Sequence, residues 1–133
     1  MRMAERVLVI DDDPDFCASC VAVLGQDGYE VRVAQSSAEG LSALREQRPD
    51  LVVLDVMMEQ ADSGFRLAEA VAREYPGLPV LLLTAIADAA AQVFDLSQLP
   101  VSEIVSKPMR TDALRTTVRR LLDQAKPRVS SGE

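Results

Sequence analysis

The run Leu51-Val52-Val53-Leu54-Asp55 sets four large apolar residues directly against a carboxylate, with nothing polar between them. An apolar run of this length, bounded by Pro49-Asp50 and by a polar loop, predicts a strand buried on both faces of a parallel sheet. Desolvating a carboxylate at the edge of such a sheet costs several kcal/mol unless a cation or hydrogen bonds compensate. Asp55 is therefore expected to meet positive charge. Ligands of open α/β sheets bind at the carboxyl ends of strands, so Asp55 is also expected to be the reactive centre.

Four further strands are expected around this one. Arg6 to Ile10 runs into Asp11-Asp12-Asp13-Pro14, where Asp13 suits a helix N-cap and Pro14 the first helical position. Phe16, Cys20, Val23 and Leu24 fall on one face of the helix that follows, which Gly28 closes. Tyr29 to Val33 alternates as a strand. Ser36 and Glu39 then have capping-box spacing for a helix to about Arg48, with Leu41 and Leu44 facing inward. After the strand ending at Asp55, a helix is expected from Gly64 to Tyr75, stopped by Pro76-Gly77. Pro79 to Thr84 is a buried strand ending in a hydroxyl, 88–98 an alanine-rich helix, and Val101 to Ser106 a shorter strand that meets Lys107-Pro108. Leu114, Val118, Leu121 and Leu122 give a last helix, opening near Thr111, its apolar stripe. Five strands alternating with five helices predict a doubly wound α/β domain with a parallel sheet and right-handed crossovers.

At 133 residues the chain fits one domain, expected over 1–126, with 127–133 a flexible C-terminal tail and no output domain. No apolar run approaches the roughly 20 residues of a membrane helix, and Met1 to Arg6 lacks a secretory signal; a soluble, cytoplasmic protein is expected. The net charge of −7 argues against direct nucleic-acid binding. The charge is uneven: residues 1–106 carry net −11 and 107–133 net +4. Arg115, Arg119 and Arg120 read as the solvated face of the last helix, or alternatively as a docking face. Histidine is absent, which removes Ser-His and Cys-His nucleophilic pairs and most zinc sites.

Capping needs one of the three acids after the first strand and leaves Asp11 and Asp12 unexplained. These two, with Asp55, Thr84 and Lys107, all lie at or just past the C-terminal ends of predicted strands, so a parallel sheet should gather them at one edge. Carboxylates crowded in this way suit a hard divalent cation such as Mg²⁺. Lys107 offers a point charge and Thr84 a hydroxyl donor to an incoming phosphoryl group. The combination fits phosphoryl transfer onto a carboxylate, with Asp55 as nucleophile and Asp11-Asp12 holding metal.

Leu-Val-Ile-Asp-Asp-Asp-Pro, Leu-Val-Val-Leu-Asp-Val-Met-Met, Leu-Leu-Leu-Thr-Ala and Val-Ser-Lys-Pro occur in this order, at domain-scale spacing. Over about residues 5 to 125 the chain resembles a response-regulator receiver domain of two-component signalling. The resemblance implies a single flavodoxin-like, CheY-like fold and a phosphoacceptor regulatory domain, not an enzyme beyond assisting its own phosphotransfer and dephosphorylation. It implies that Asp55 is phosphorylated by a sensor histidine kinase or phosphotransfer protein. Mg²⁺ would be held by Asp12, Asp55 and the backbone carbonyl of Met57, with Asp11 acting through water. Thr84, Ala85 and Lys107 would hold the phosphoryl oxygens, and the peptide before Pro108 would be cis. A downstream protein partner, no membrane or direct nucleic-acid contact, and a monomer or weak dimer go with this reading.

The chain also departs from the family pattern. Glu59 stands where the family has proline after the phosphoacceptor, and the loop through Asp62-Ser63-Gly64 is one residue longer, so a more mobile loop is expected. Ile104 replaces the usual switch aromatic and has no ring to swing. Leu99-Pro100-Val101 replaces a small-residue turn. Met57 and Ile86 are apolar where water-handling groups are common, so a long-lived phosphoryl group is expected. Cys17 and Cys20 spell C-x-x-C but read as ordinary helix residues, since Pro14 puts Cys17 a turn inside the helix. The rival readings are a pseudo-receiver that ignores phosphate and a phosphohydrolase of haloacid-dehalogenase type; the latter lacks the Asp-x-Asp strand end and a cap insertion here. A flavodoxin-like cofactor binder lacks its phosphate-cradling glycine turn.

Overall fold

The computed structural model describes residues 4–55, 63–84, 101–106 and 110–125. In chain order they form β1 (Arg6–Ile10), α1 (Pro14–Gln26), β2 (Glu30–Ala34), α2 (Ser37–Glu46), β3 (Leu51–Asp55), α3 (Ser63–Glu74), β4 (Val80–Thr84), β5 (Glu103–Ser106) and α4 (Thr111–Ala125). The strands make one parallel sheet in the order β2-β1-β3-β4-β5. Four helices lie among the described residues where five were expected; the expected helix 88–98 lies outside them. None of the described helices is long and apolar enough to cross a membrane.

Side chains alternate across each strand, and the two faces of the sheet carry two separate cores. Leu8, Ile10, Val52, Leu54, Val80 and Leu82 pack against α2 and α3, and Val7, Val9, Leu51, Val53, Leu81 and Leu83 against α1 and α4. β3 is buried along its whole length. Burying a Leu or Val side chain contributes roughly 1.5–3 kcal/mol, so the four apolar residues of β3 together outweigh the several kcal/mol that one desolvated carboxylate costs. That imbalance lets Asp55 be held, 6 % exposed, at the end of the strand.

Local chemistry sets the boundaries. Asp13 caps α1, its side chain accepting from the Asp15 N–H at 3.0 Å, and Pro14 opens the helix. Ser36 Oγ accepts from the Glu39 N–H at 3.1 Å; the Glu39 carboxylate accepts from the Gln35 N–H at 2.9 Å, so the box closes one residue before the cap. At the far end of α1, Gly28 takes φ +90°, and the Tyr29 N–H reaches back to the Leu24 carbonyl at 3.2 Å. Tyr29 thus belongs to the helix-closing turn, and β2 begins one residue later than the alternation suggests. Asp50 anchors the entry to β3: its carboxylate accepts from the Arg6 N–H at 2.7 Å and its N–H donates to the Arg6 carbonyl at 2.8 Å. α2 stops at Glu46, two residues short of expectation, because Gln47 is already extended. α3 runs one residue earlier than expected at both ends.

The inward face of α1 is offset from the expected stripe. Cys17, Cys20 and Leu24 are buried, whereas Phe16 and Val23 are only partly so. The three arginines of α4 are also more than a solvated face. Arg115 grips Asp27 with Nε and Nη2, both at 2.8 Å. Arg119 grips both oxygens of Glu5 at 2.9 and 3.0 Å and reaches Tyr29 Oη and Asp123, and Arg120 meets Glu103 at 2.7 Å. These pairs tie α4 to the end of α1, the start of β1 and the edge strand β5. The Arg115 guanidinium holds the Asp27 carboxyl below its ordinary value, while burial pushes the Tyr29 phenol up against the opposing pull of Arg119.

Candidate functional site

β1 and β3 are neighbours in parallel register, with Ile10 opposite Leu54. One step further along, Asp11 and Asp55 stand side by side. Alternation puts both on the face that carries Val9 and Val53, and Asp12 follows at the rim. One carboxylate oxygen from each of Asp11, Asp12 and Asp55 lies within 4.8 Å of the other two. Asp11 and Asp55 are buried, at 1 % and 6 % exposure, and Asp12 is exposed. The site therefore has two walls inside the protein and one open to solvent.

Hydrogen bonds hold Asp11 through its N–H, its carboxylate and its carbonyl. Its N–H donates to the Ala34 carbonyl at 3.0 Å, continuing the β1–β2 ladder one residue past the strand. Its Oδ1 accepts from the Asp13 N–H at 2.9 Å, and its carbonyl accepts from the Cys17 thiol at 3.2 Å. The sequence carries no sign of that last contact, because the C-x-x-C spacing draws attention to the two sulfurs as a pair. Both cysteines are buried, and neither forms a disulfide.

The donor set suits a hard cation. Mg²⁺ binds oxygens at about 2.1 Å in an octahedron, which places its ligand oxygens roughly 3 to 4.2 Å apart. Three carboxylate oxygens within 4.8 Å of one another are compatible with sharing such an ion, and the exposed Asp12 leaves room for the waters that Mg²⁺ retains.

Thr84 ends β4, 1 % exposed, one residue beyond Leu83, the register partner of Asp55. The sheet thus brings the hydroxyl strand next to the Asp55 strand, as expected. Ile104 pairs with Leu82, and Thr84 with Ser106, so Thr84 and Ile104 occupy the same face of neighbouring strands. Ile104 is half-buried against the core on that face, where an aliphatic side chain packs in place. Met57, Glu59, Ala85, Ile86, Leu99, Pro100, Lys107 and Pro108 lie outside the described residues.

Comparisons with known proteins agree with this fold. The sequence model described as "Response regulator receiver domain" matches residues 7–119. The chain is 36 % identical over 125 residues to the transcriptional regulatory protein GlrR of Escherichia coli (strain K12), covering 92 % of this chain and 27 % of that protein. It is 33 % identical over 135 residues to the DNA-binding response regulator MtrA of Mycolicibacterium smegmatis, covering 98 % of this chain and 58 % of that one. The chain therefore spans less than two thirds of the length of these relatives. Among solved structures, a CheY-like response regulator receiver domain protein from Methanospirillum hungatei superposes with a TM-score of 0.82 at 26 % identity, covering 92 % of this chain and 96 % of the other.

Proposed function

The chain belongs to the family of response regulator receiver domains, and on that footing we propose that it is a phosphorylation-controlled switch with Asp55 as the phosphoacceptor. The observation that carries this reading is the gathering of Asp11, Asp12 and Asp55 within 4.8 Å at the ends of two adjacent strands. An Asp55 carboxylate oxygen attacks the phosphorus of a phosphohistidine on a partner kinase or phosphotransfer protein. The P–O bond forms as the P–N bond breaks, and the imidazole leaves with the electron pair. With no histidine of its own, the chain takes the acceptor's part.

Asp11, Asp12, Asp55 and the backbone carbonyl of Met57 are the groups that would hold Mg²⁺, which when bound neutralises charge on the phosphoryl oxygens. Thr84, Ala85 and Lys107 complete the proposed cradle. Phosphorylation adds charge and acceptor oxygens at the sheet edge. Groups that follow it shift the balance between two surface conformations, and a downstream protein partner in the cytoplasm reads the result. Ile104 lies on the Thr84 face but has no ring to swing, so the proposed shift works through packing around Thr84. The clustered acids count against a module indifferent to phosphate.

Incubation with acetyl phosphate, or with beryllofluoride, in Mg²⁺ tests the reading. A mass increase or fluorine resonance that depends on Mg²⁺ and is lost in Asp55→Asn is expected; wild-type protein that forms no adduct would refute it.

A further inference from the structure

Cys17 is a buried polar contact that the phosphoacceptor reading leaves unused. The residue is 3 % exposed, and its side chain reaches from α1 back to the end of β1, donating to the Asp11 carbonyl at 3.2 Å. That carbonyl forms one side of the peptide whose other side is the Asp12 N–H, and a peptide turns as a rigid plane. A rotation of the carbonyl therefore redirects the Asp12 backbone. Asp12 is exposed, unlike Asp11 and Asp55, so the direction of its carboxylate depends on this peptide more than on surrounding packing. Mg²⁺ demands near-ideal octahedral geometry, and outer partners that orient metal ligands typically alter affinity by about 10- to 100-fold.

Resting on the cation site read above, we propose that the Cys17 thiol is a positioning residue: it fixes the Asp11-Asp12 peptide and so sets the affinity for a divalent cation that it never touches. The thiol is a weak donor, yet the carbonyl it meets is buried with Asp11, at 1 % exposure, where hydrogen bonds are little weakened by competing water. Cys20 supplies the internal control. It is equally buried on the same helix face and in the same core cluster, one turn further from the strand end.

The test is a calorimetric titration of the whole chain with MgCl₂. Cys17→Ala should weaken Mg²⁺ binding by about tenfold, and Cys17→Ser, which keeps a donor, should return the affinity close to that of wild type. Cys20→Ala should lower the thermal midpoint while leaving the Mg²⁺ affinity unchanged. If Cys17→Ala does not fold, Cys17→Val fills the space without a donor and should show the same loss. Affinity unchanged in the donor-less variant, or weakened as much by Cys20→Ala, overturns the proposal while leaving the cation site standing. Wild-type protein that does not bind Mg²⁺ overturns both.

Discussion

Gly40 lies against Ile10 so closely that a Cβ added to the glycine would stand 2.7 Å from Ile10 Cδ1 and 3.2 Å from its Cγ1. Ile10 is fully buried and immediately precedes the acidic pair. In Gly40→Ala the helix-propensity gain of about 1 kcal/mol competes with an overpacking cost of about 1–3 kcal/mol. All three nearest atoms belong to one side chain with nowhere to go, so a net loss of about 1 kcal/mol is expected in urea unfolding. Gly25→Ala on α1 provides the contrast: nothing lies within 4 Å of its Cβ position, and a gain of about 0.5–1 kcal/mol is expected.

Mg²⁺ should raise the thermal midpoint. A cation present at a hundred times its dissociation constant stabilises the folded state by about 2.7 kcal/mol, a shift of several degrees for a chain of this size. Asp12→Asn removes the solvent-side ligand and should abolish most of the shift without unfolding the protein, since residue 12 is exposed. An undiminished shift in the variant would remove Asp12 from the ligand set.

The Asp27–Arg115 pair predicts a pH signature. Arg115 holds the Asp27 carboxyl below its ordinary value of 3.8, so the folded state binds that proton less readily than the unfolded chain. The pair's contribution is fully present above pH 3.8 and fades as pH falls through the lower folded value. Asp27→Asn should therefore unfold at a lower temperature than wild type near neutral pH, and the two melting curves should converge in stronger acid. Added salt should narrow the gap, because both side chains are partly exposed.

Arg119 joins Glu5, Tyr29 and Asp123, with its guanidinium 5.8 Å from the Tyr29 ring centre. Exposed ion pairs contribute at most about 1 kcal/mol after screening, so Arg119→Ala should cost about that much. A second readout is more specific. Burial raises the Tyr29 phenol above its ordinary value of 10.0 and Arg119 opposes the rise, so in Arg119→Ala the phenolate absorbance of Tyr29 should appear at higher pH still. A fall instead would mean that the ring had lost its cover.

Much of this molecule is written locally. The buried strands, the Asp13 and Ser36 caps and the acids at the strand ends follow from residues adjacent in the chain, and the structure brings Asp11, Asp12 and Asp55 together as the parallel topology requires. What the sequence hides is long-range. The partners of Arg115 and Arg119 lie 88 and 114 residues away, and helical periodicity cannot name them. Periodicity also favours Phe16 on the inward face of α1, whereas Cys17 is the residue buried there; nothing local reports that rotation.

The order β2-β1-β3-β4-β5 also governs when the site can exist. Asp11 and Asp55 become neighbours only after two strands distant in the chain have zipped together in the middle of the sheet. A nascent or partly unravelled polypeptide holds every acid it needs but no nest for a cation. If Asp55 is the phosphoacceptor as proposed, its labelling would report that the β1–β3 seam has formed.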